Sequence, residues 1–382
     1  MAEYLLFTAS HDKTLRKWSF ETGTEIVQIK PKDAQINSMV VNSDGKILAT
    51  GAYCTLKLYD TNNLDIIWSN NEAHTKNVQT VGFFKNGYEM YTGGEDGIAK
   101  IWDIRANKYS CEKAYQMPSP LNGLSLHPNQ NDLIVADAQG IIYIWDLSQD
   151  VDSTVPIQEL DITEFFNHVH VDKTGNQVCA VSNRGKVYII GRTDETIKHK
   201  ESMDGRFQDF NNAPSSNHAR NDNSNLSLLM TSEISTIKEE VPVNPNEGYC
   251  VLASSYKFEH FFKAHRDYVL KCRYSQGGEL LGTSGADGKV NIYKYDEFKN
   301  KNYTPYRQIP NIKKNTNESG VPDLKWVWGL EFSNDGKYLF TSGGDHTFRV
   351  WDIEAETNII KFTGHSGTVT GLAIYDSNPS LM

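Results

Sequence analysis

Short alternating stretches separated by turn residues recur along this chain at a nearly constant interval. One recurring stretch ends in an aromatic or other bulky apolar residue, often followed by Asp, and occurs seven times, ending at Trp18, Tyr59, Trp102, Trp145, Ile190, Tyr293 and Trp351. Successive members lie 41, 43, 43, 45, 103 and 58 residues apart. A common period of about 43 residues, lengthened at two places, is typical of folds that stack one repeated unit on the next.

A second recurring stretch has the alternating apolar pattern of a half-buried β-strand. It also occurs seven times, at residues 36–41, 78–83, 121–126, 165–171, 269–274, 327–332 and 369–374. Six of these precede a member of the first set, whereas the seventh lies near the C-terminus and Trp18 has no predecessor. About 43 residues hold four short strands, which is one propeller blade. The sequence therefore predicts an all-β, seven-bladed β-propeller whose ring is closed by a blade shared between the two ends of the chain.

Polar residues repeat at fixed offsets within these units. Sets with offsets of 0, 18, 22 and 28 residues are His74, Thr92, Asp96 and Trp102, and His265, Thr283, Asp287 and Tyr293. The blade shared by the two ends would combine His365 with Thr8, Asp12 and Trp18. These residues resemble the WD-repeat family, in which such a tetrad is a hydrogen-bonded chain of carboxylate, imidazole, hydroxyl and indole. The resemblance implies a single WD-repeat propeller over residues 1–382.

Asp, His and Thr in one cluster also suggest a hydrolase, because a nucleophile, a base and an orienting acid make a catalytic triad. The same trio recurs with identical spacing in different blades, however, as expected of scaffolding. The Gly-rich stretches 92–97 and 341–345 precede strands, so they lack the helix N-terminus that binds phosphate. The chain has no CxxC pair and no HExxH motif. We therefore predict a protein that is not an enzyme and has no cofactor or metal.

In WD-repeat folds, the residues at the start of each second-set stretch line one mouth of the central opening. Amides and aromatics dominate these positions and no charged residue occurs there, which is the composition of a protein contact. The predicted partner-binding residues are Gln35, Asn37, Asn77, Gln79, Asn122, Asn167, Tyr268, Leu270, Trp326, Trp328, Thr368 and Thr370, with Leu121 and Phe165 at equivalent positions. Packing of the adjacent blade is the alternative role of the two tryptophans, and bonding to nearby loop backbone is that of the amides.

The composition limits the function further. The formal net charge of −10 disfavours binding to nucleic acid or anionic lipid, because both need clustered Lys and Arg. The five cysteines are scattered, and the N-terminus lacks the basic and apolar regions of a secretory signal. No apolar run approaches the roughly 18 residues of a membrane span. These features predict a soluble cytoplasmic protein with free thiols.

Four longer stretches narrow the resemblance, at residues 90–105, 126–147, 261–275 and 326–354. They are similar to the small WD-repeat (G-protein beta-subunit-like) subunits of target-of-rapamycin kinase complexes. The resemblance implies a non-catalytic subunit of both complexes, TORC1 and TORC2, acting in nutrient and growth signalling. It implies that the chain binds the C-lobe of the kinase domain, stabilises the active kinase and meets the other subunits through it. The complex would also bring the chain to lysosome or vacuole surfaces.

Two insertions depart from that family. Residues 193–256 form a long polar segment in the fifth blade, and we expect a disordered loop there because no alternating run is present. An eighth blade is the alternative explanation of the 103-residue interval. Residues 311–325 precede Trp326 directly, so this second insertion could alter the predicted contact surface.

Two other functional classes compete with this interpretation. Trp102, Asp103, Ile104 and Arg105 match the WDxR pattern of substrate receptors of cullin-type ubiquitin ligases, in which an exposed Arg contacts an adaptor. A hydrolytic or ligand-binding propeller would instead need a charged or metal-binding central funnel, which the uncharged positions above do not predict.

Overall fold

The structure, a computed structural model, describes residues 4–31, 35–105, 109–157, 160–193, 255–299, 302–310 and 325–377. Within these residues the chain forms seven four-stranded antiparallel sheets and one short helix. Each sheet is one blade, and the predicted all-β, seven-bladed propeller is confirmed. In the described part of the chain, no helix has the length and apolar character needed to cross a membrane.

The strands follow the chain from blade to blade. Blade one receives β1 (Tyr4–Ser10), β2 (Leu15–Trp18) and β3 (Glu25–Ile29). Blades two to four contain β4 (Ser38–Val41), β5 (Ile47–Gly51), β6 (Leu56–Asp60), β7 (Ile66–Asn70), β8 (Val78–Phe83), β9 (Glu89–Gly94), β10 (Ile98–Asp103), β11 (Ser110–Gln116), β12 (Leu121–Leu126), β13 (Asp132–Asp137), β14 (Ile142–Asp146) and β15 (Val151–Val155). Blades five to seven contain β16 (Phe166–Val171), β17 (Gln177–Ser182), β18 (Lys186–Arg192), β19 (Tyr256–Lys263), β20 (Val269–Tyr274), β21 (Leu280–Gly285), β22 (Val290–Lys294), α1 (Tyr295–Lys299), β23 (Arg307–Ile309), β24 (Val327–Phe332), β25 (Tyr338–Gly343), β26 (Phe348–Asp352) and β27 (Thr357–Phe362). The last strand, β28 (Val369–Asp376), is the inner strand of blade one.

Blade one joins the two ends of the chain, as the sequence predicts. Strand β1 pairs with β2 on one side and with β28 on the other, where Leu6 lies opposite Ile374 and Thr8 opposite Leu372. The backbone hydrogen bonds between β28 and β1 therefore close the ring by joining strands from opposite ends of the sequence. Opening the ring would leave those N–H and C=O groups unpaired.

The apolar core lies between neighbouring blades, where the middle strands bury side chains on both of their faces and the outer strands β3, β7, β11 and β27 stay largely exposed. Seven apolar clusters fill the seven interfaces of the ring. The interface between blades seven and one has its own apolar cluster, which includes Leu6 and Trp18 of blade one and Phe340 and Phe348 of blade seven. Burial of apolar surface contributes roughly 25 cal/mol per Å² to stability. The closed ring gains this contribution at all seven interfaces, because no terminal blade has an exposed apolar face.

The disc has two faces that differ in the loops they present. We call the face at which the inner strands begin the top face. The described chain stops at Thr193 and resumes at Ser255 on the opposite face, where the Thr193 N–H donates to the Ser255 carbonyl at 2.9 Å. The predicted insertion 193–256 lies outside the described residues except for its ends, and so does 311–325 except for Lys325.

Candidate partner-binding surface

The structure brings the four residues of the blade-three tetrad together. His74 Nδ1 lies 3.0 Å from both carboxylate oxygens of Asp96, and His74 Nε2 lies 2.7 Å from Thr92 Oγ1. The indole N–H of Trp102 donates to the same hydroxyl at 2.9 Å. Each group thus has one defined role in a directed chain that runs from indole to hydroxyl, imidazole and carboxylate.

The closing tetrad, Thr8, Asp12, Trp18 and His365, has the same geometry across the two ends of the chain. His365 Nε2 lies 2.7 Å from Thr8 Oγ1, and Nδ1 lies 3.0 Å from Asp12 Oδ2. The Trp18 indole donates to Thr8 at 2.7 Å. The preceding Gly364 has a φ of 152°, and a Cβ at this position would lie 2.4 Å from an Arg16 nitrogen. Glycine is therefore required where the loop delivers His365.

The third tetrad keeps the hydroxyl and carboxylate contacts and replaces the indole with a phenol. His265 lies 2.9 Å from Thr283 and 2.9 Å from Asp287 through its two ring nitrogens, and Tyr293 is buried beside them. The hydroxyls of Thr8, Thr92 and Thr283 are all on fully buried residues. A buried hydroxyl cannot reach a substrate, so these clusters are suited to holding strands together.

Electrostatics favour one protonation state in the closing tetrad and in the blade-three tetrad. Burial raises the pKa of the Asp12 carboxyl, but hydrogen bonds from Thr14, Ser366 and His365 outweigh this effect and hold the pKa well below its usual range. Burial lowers the pKa of His365, which Asp12 only partly offsets. A neutral imidazole on a carboxylate is the result. The blade-three pair of His74 and Asp96 shifts in the same directions for the same reasons.

In two other blades a polar residue occupies the strand position of Gly94 and bonds to a residue 18 positions before it. In blade five, Ser182 donates to Glu164 at 2.5 Å and Lys186 pairs with the same carboxylate at 2.8 Å. In blade four, Ser119 donates to Asp137 at 2.6 Å. The signal for both was this spacing of 18 residues between two polar side chains, one of which is a carboxylate: Glu164 in blade five and Asp137 in blade four.

The predicted partner-binding residues form two concentric rings on the top face, and we call both rings together the rim. The inner ring lines a cavity of about 240 Å³ at the mouth of the central opening; its members are Asn37, Gln79, Asn122, Asn167, Leu270, Trp328 and Thr370. The outer ring is the set of residues two positions earlier on the chain, of which Gln35 and Phe165 also line the cavity; its members are Gln35, Asn77, Pro120, Phe165, Tyr268, Trp326 and Thr368. Leu121, which the sequence placed on the rim, is fully buried instead.

Most inner-ring polar residues bond to the following blade. The amides of Asn122 and Asn167 donate to the carbonyls of Phe166 and Val269, each at 2.7 Å. The same contact recurs between Asn37 and Val78 at 3.4 Å and between Thr370 and Ile36 at 3.2 Å. We call Asn37, Gln79, Asn122 and Asn167 the amide arc. Three of these four amides join blades, which is the alternative role that the sequence left open.

Two charged residues lie beside the rim, so the expectation of an uncharged mouth is wrong. Glu95 lies in the turn between β9 and β10, and its carboxylate accepts from Asn77 at 3.0 Å and from Gln79 at 2.6 Å. Lys271 also lines the cavity at the mouth. Glu95 could not be identified from the sequence, because it belongs to the turn between β9 and β10, which reaches the rim only once the blade has folded.

Three aromatic residues form a continuous cluster on the rim of blades six and seven. The ring centroids of Tyr268 and Trp326 lie 6.3 Å apart, and those of Trp326 and Trp328 lie 5.4 Å apart. Tyr268 is 47% exposed and Trp326 is 42% exposed. We call these three residues the aromatic cluster. Exposed Trp and Tyr side chains in contact with one another are the residue types that dominate binding energy in protein interfaces.

The backbone holds the cluster in place. The carbonyl of Trp326 accepts from the Gly344 N–H at 2.8 Å, and that of Tyr268 accepts from the Ala286 N–H at 2.8 Å. Lys325, directly before Trp326, has a φ of 50°, which is an uncommon conformation for a residue with a Cβ. The cluster is thus presented by ordered backbone at the start of two inner strands.

The WDxR stretch lies on the opposite face, after β10. The Arg105 guanidinium is exposed and makes two hydrogen bonds from Nε to the Asp103 carboxylate, at 3.1 and 3.0 Å. The hydrogen bond and charge of Asp103 raise the pKa of Arg105. An adaptor would therefore meet an arginine that is already paired within its own motif.

Comparison with known families agrees with this geometry. The model "WD domain, G-beta repeat" matches residues 23–60, 256–294 and 322–352. The chain carries WD40 repeats. A second model, "Nucleolar protein 10-like, N-terminal domain", matches residues 54–200. The matches 256–294 and 322–352 include the third tetrad and the aromatic cluster, and the match 23–60 covers β3 to β6.

Curated relatives cover almost the whole WD-repeat chain. The protein named "Target of rapamycin complex subunit LST8" is 29% identical to it in both Bos taurus and Mus musculus, over 98% of this chain and 95% of the relative. "Protein LST8 homolog" of Drosophila melanogaster is 26% identical over 98% of this chain and 97% of the relative. The resemblance predicted from four stretches of sequence is confirmed over the full chain.

Among solved structures, the β-propeller domain of Cps50 (Swd1) from Myceliophteria thermophila superposes with a TM-score of 0.60 at 13% identity. The match covers 88% of this chain and 89% of that domain. It supports the propeller fold.

Proposed function

We propose that this chain is a non-catalytic WD-repeat subunit of target-of-rapamycin kinase complexes. The observation that carries the proposal is the extent of the similarity to LST8 proteins, which takes in 98% of this chain and 95% of the mammalian relatives. A match of that extent includes all seven blades and both faces of the disc. Propellers in general serve many functions, so similarity over the entire surface is more informative than the fold.

The proposal extends to the docking surface: the top face binds the C-lobe of the kinase domain through the aromatic cluster. Tyr268 and Trp326 each leave nearly half of their surface exposed, which is area that a partner can bury. The amide arc and Glu95 would surround this apolar centre with polar groups, the arrangement typical of protein interfaces. An interface of standard size buries roughly 1,200–2,000 Å² in total.

A closed ring is suited to stabilising a partner. Its rim is held by hydrogen bonds between blades, such as those of Asn122 and Asn167, so little order has to be imposed on it during binding. A ligand that binds only the folded, active kinase stabilises that state by mass action. The chain would be cytoplasmic and would reach lysosome or vacuole surfaces with the kinase complex.

Co-purification from native lysate tests the proposal. We expect the tagged wild-type chain to recover a very large kinase as its main partner. The double variant Trp326→Ala plus Trp328→Ala is expected to lose most of that recovery while keeping its circular dichroism spectrum. Tyr88→Ala is the matched control, because Tyr88 is 59% exposed and lies on the opposite face before β9.

Two outcomes would contradict the proposal. Recovery of a cullin adaptor without any kinase would favour the ubiquitin-ligase alternative, and Arg105→Ala should then abolish that recovery. Equal loss of the kinase in Tyr88→Ala and in the double tryptophan variant would move the docking surface away from the aromatic cluster.

A further inference from the structure

An open channel follows the axis of the ring beneath the rim. Cavities of about 240, 290 and 660 Å³ succeed one another along it. Lys271 lines the first two cavities and Arg273 lines the last two, so the three form one path through the disc. The first cavity has room for a small hydrated solute, because a water molecule occupies about 30 Å³.

Basic and imidazole side chains cover one side of this channel. Blade five contributes His168 and His170, and blade six contributes Lys271 and Arg273. The corresponding inner-strand positions of the other blades are Ser38, Val40, Thr80, Gly82, Gly123, Ser125, Gly329, Glu331, Gly371 and Ala373, of which only Glu331 is charged. The chain as a whole has a net charge of −10, yet two cations, Lys271 and Arg273, line this channel.

These four side chains lie at two levels of the channel: His168 and Lys271 at the upper level, and His170 and Arg273 at the lower one. Both side chains of the lower level have hydrogen-bond partners within the protein. Arg273 donates from Nε to Glu331 Oε2 at 2.9 Å and makes a second hydrogen bond from its terminal nitrogen to Oε1. His170 Nδ1 accepts from the backbone N–H of Tyr274 at 3.2 Å. The only carboxylate among the channel positions compared above is therefore engaged by Arg273.

The upper level contains a cation that lacks such a partner. Among the residues that the structure describes, no carboxylate lies within ion-pair distance of the Lys271 ammonium, and no hydrogen bond of that ammonium is present. Burial and the charge of Arg273 lower the pKa of Lys271, and Glu331 offsets this only in part. A half-buried charge without a counter-charge is unfavourable, and a bound anion would compensate it.

His168 completes the upper level beside Lys271, and both side chains line the two upper cavities. Burial and the neighbouring cations hold the pKa of His168 well below its usual range, so the ring is neutral and offers one N–H. Its Nδ1 lies 3.6 Å from Cys272 Sγ in the channel wall.

We propose that the upper channel binds one small oxyanion of the phosphate type, held by the Lys271 ammonium with His168 as a second contact. Charge-assisted hydrogen bonds to an ammonium are stronger than those between neutral groups, above all where water is largely excluded. The site consists of this chain alone and needs no kinase. It therefore goes beyond the proposed function and can succeed or fail independently of it.

Calorimetric titration of the purified chain with sodium phosphate, at an ionic strength fixed by sodium chloride, tests the proposal. We expect saturable binding at one site and a melting temperature that rises with phosphate concentration, as linkage requires. Sulfate should compete with phosphate. Lys271→Gln should weaken binding at least tenfold, whereas Lys271→Arg should keep it.

Lys361→Gln is the control, because Lys361 is exposed on the outer strand β27 of blade seven. It should bind phosphate as the wild type does. Lys271→Gln removes an unpaired cation, so it is expected to fold, which a thermal melt without phosphate would establish. Absence of saturable heat with the wild type, or equal affinity in Lys271→Gln and the wild type, would overturn the proposal.

Discussion

The amide arc and the aromatic cluster lie on one rim and have different roles. Asn122 and Asn167 donate to carbonyls of the next blade at 2.7 Å. Trp326, by contrast, contacts Tyr268 and Trp328 and remains 42% exposed. The arc therefore holds neighbouring blades together, and the cluster leaves apolar surface available to a partner. Trp328 has the strand position of Asn122 and Asn167, whereas Tyr268 and Trp326 each precede that position by two residues in their own blades.

This contrast separates stability from binding. We expect the largest effect on stability at the closing tetrad, which joins the two ends of the chain. Thr8→Val preserves volume but removes the hydroxyl shared by Trp18 and His365. Each buried group left without its partner costs about 1–3 kcal/mol, so we expect the free energy of unfolding to fall by about 2–6 kcal/mol. Urea unfolding measures the change. Thr357→Val, on exposed β27, is the control and should change stability by less than about 0.5 kcal/mol; an equal loss in both variants would refute a special role for the closing tetrad.

The amide arc should show a smaller effect of the same kind. Asn167→Leu leaves the Val269 carbonyl without its side-chain donor, at a cost of about 1–3 kcal/mol. The melting temperature should fall, and kinase binding by the remaining folded protein should stay within about twofold of wild type because the aromatic cluster is intact. Gln28→Leu on exposed β3 is the control. Unchanged stability with weakened kinase binding would show that the amide arc, like the aromatic cluster, contacts the partner.

The outer member of the cluster should affect binding alone. An aromatic pair contributes about 0.5–1.5 kcal/mol beyond its buried area, so Tyr268→Ala should weaken kinase binding by a few-fold to about tenfold. Tyr268→Phe keeps the ring and should bind as the wild type does. Equal weakening by both substitutions, measured as dissociation constants, would show that the hydroxyl and not the ring makes the contact.

Acid should lower the stability of the protein through the blade-three tetrad and the closing tetrad. The folded-state pKa values of His74 and His365 lie below the ordinary value, so the unfolded chain takes up protons that the folded chain does not. The corresponding stability is complete above pH of about 6.5 and is lost as pH falls below it. The melting temperature at pH 5.5 should therefore be lower than at pH 7.5. An equal or higher value at pH 5.5 would contradict the neutral imidazoles.

The sequence predicted local relations better than relations between blades. The tetrads follow from fixed offsets such as His74 to Thr92, because a tight turn and two paired strands determine those distances. The blade-joining role of Asn122 depends on the carbonyl of Phe166 in the next blade, and no spacing within one repeat reveals it. Nor does the spacing reveal the β-bulge that follows the first residue of most inner strands, as between Val269 and Lys271. It turns Leu270 and Lys271 both toward the channel.

The most direct test of the account is a titration of the purified kinase complex with three folded variants of this chain. Trp326→Ala plus Trp328→Ala should raise the dissociation constant about 30-fold or more, because removal of a hot-spot residue costs at least about 2 kcal/mol. Asn167→Leu and the opposite-face variant Tyr88→Ala should bind within about twofold of wild type. Wild-type affinity in the double tryptophan variant would contradict the assignment of the aromatic cluster as the kinase-binding surface.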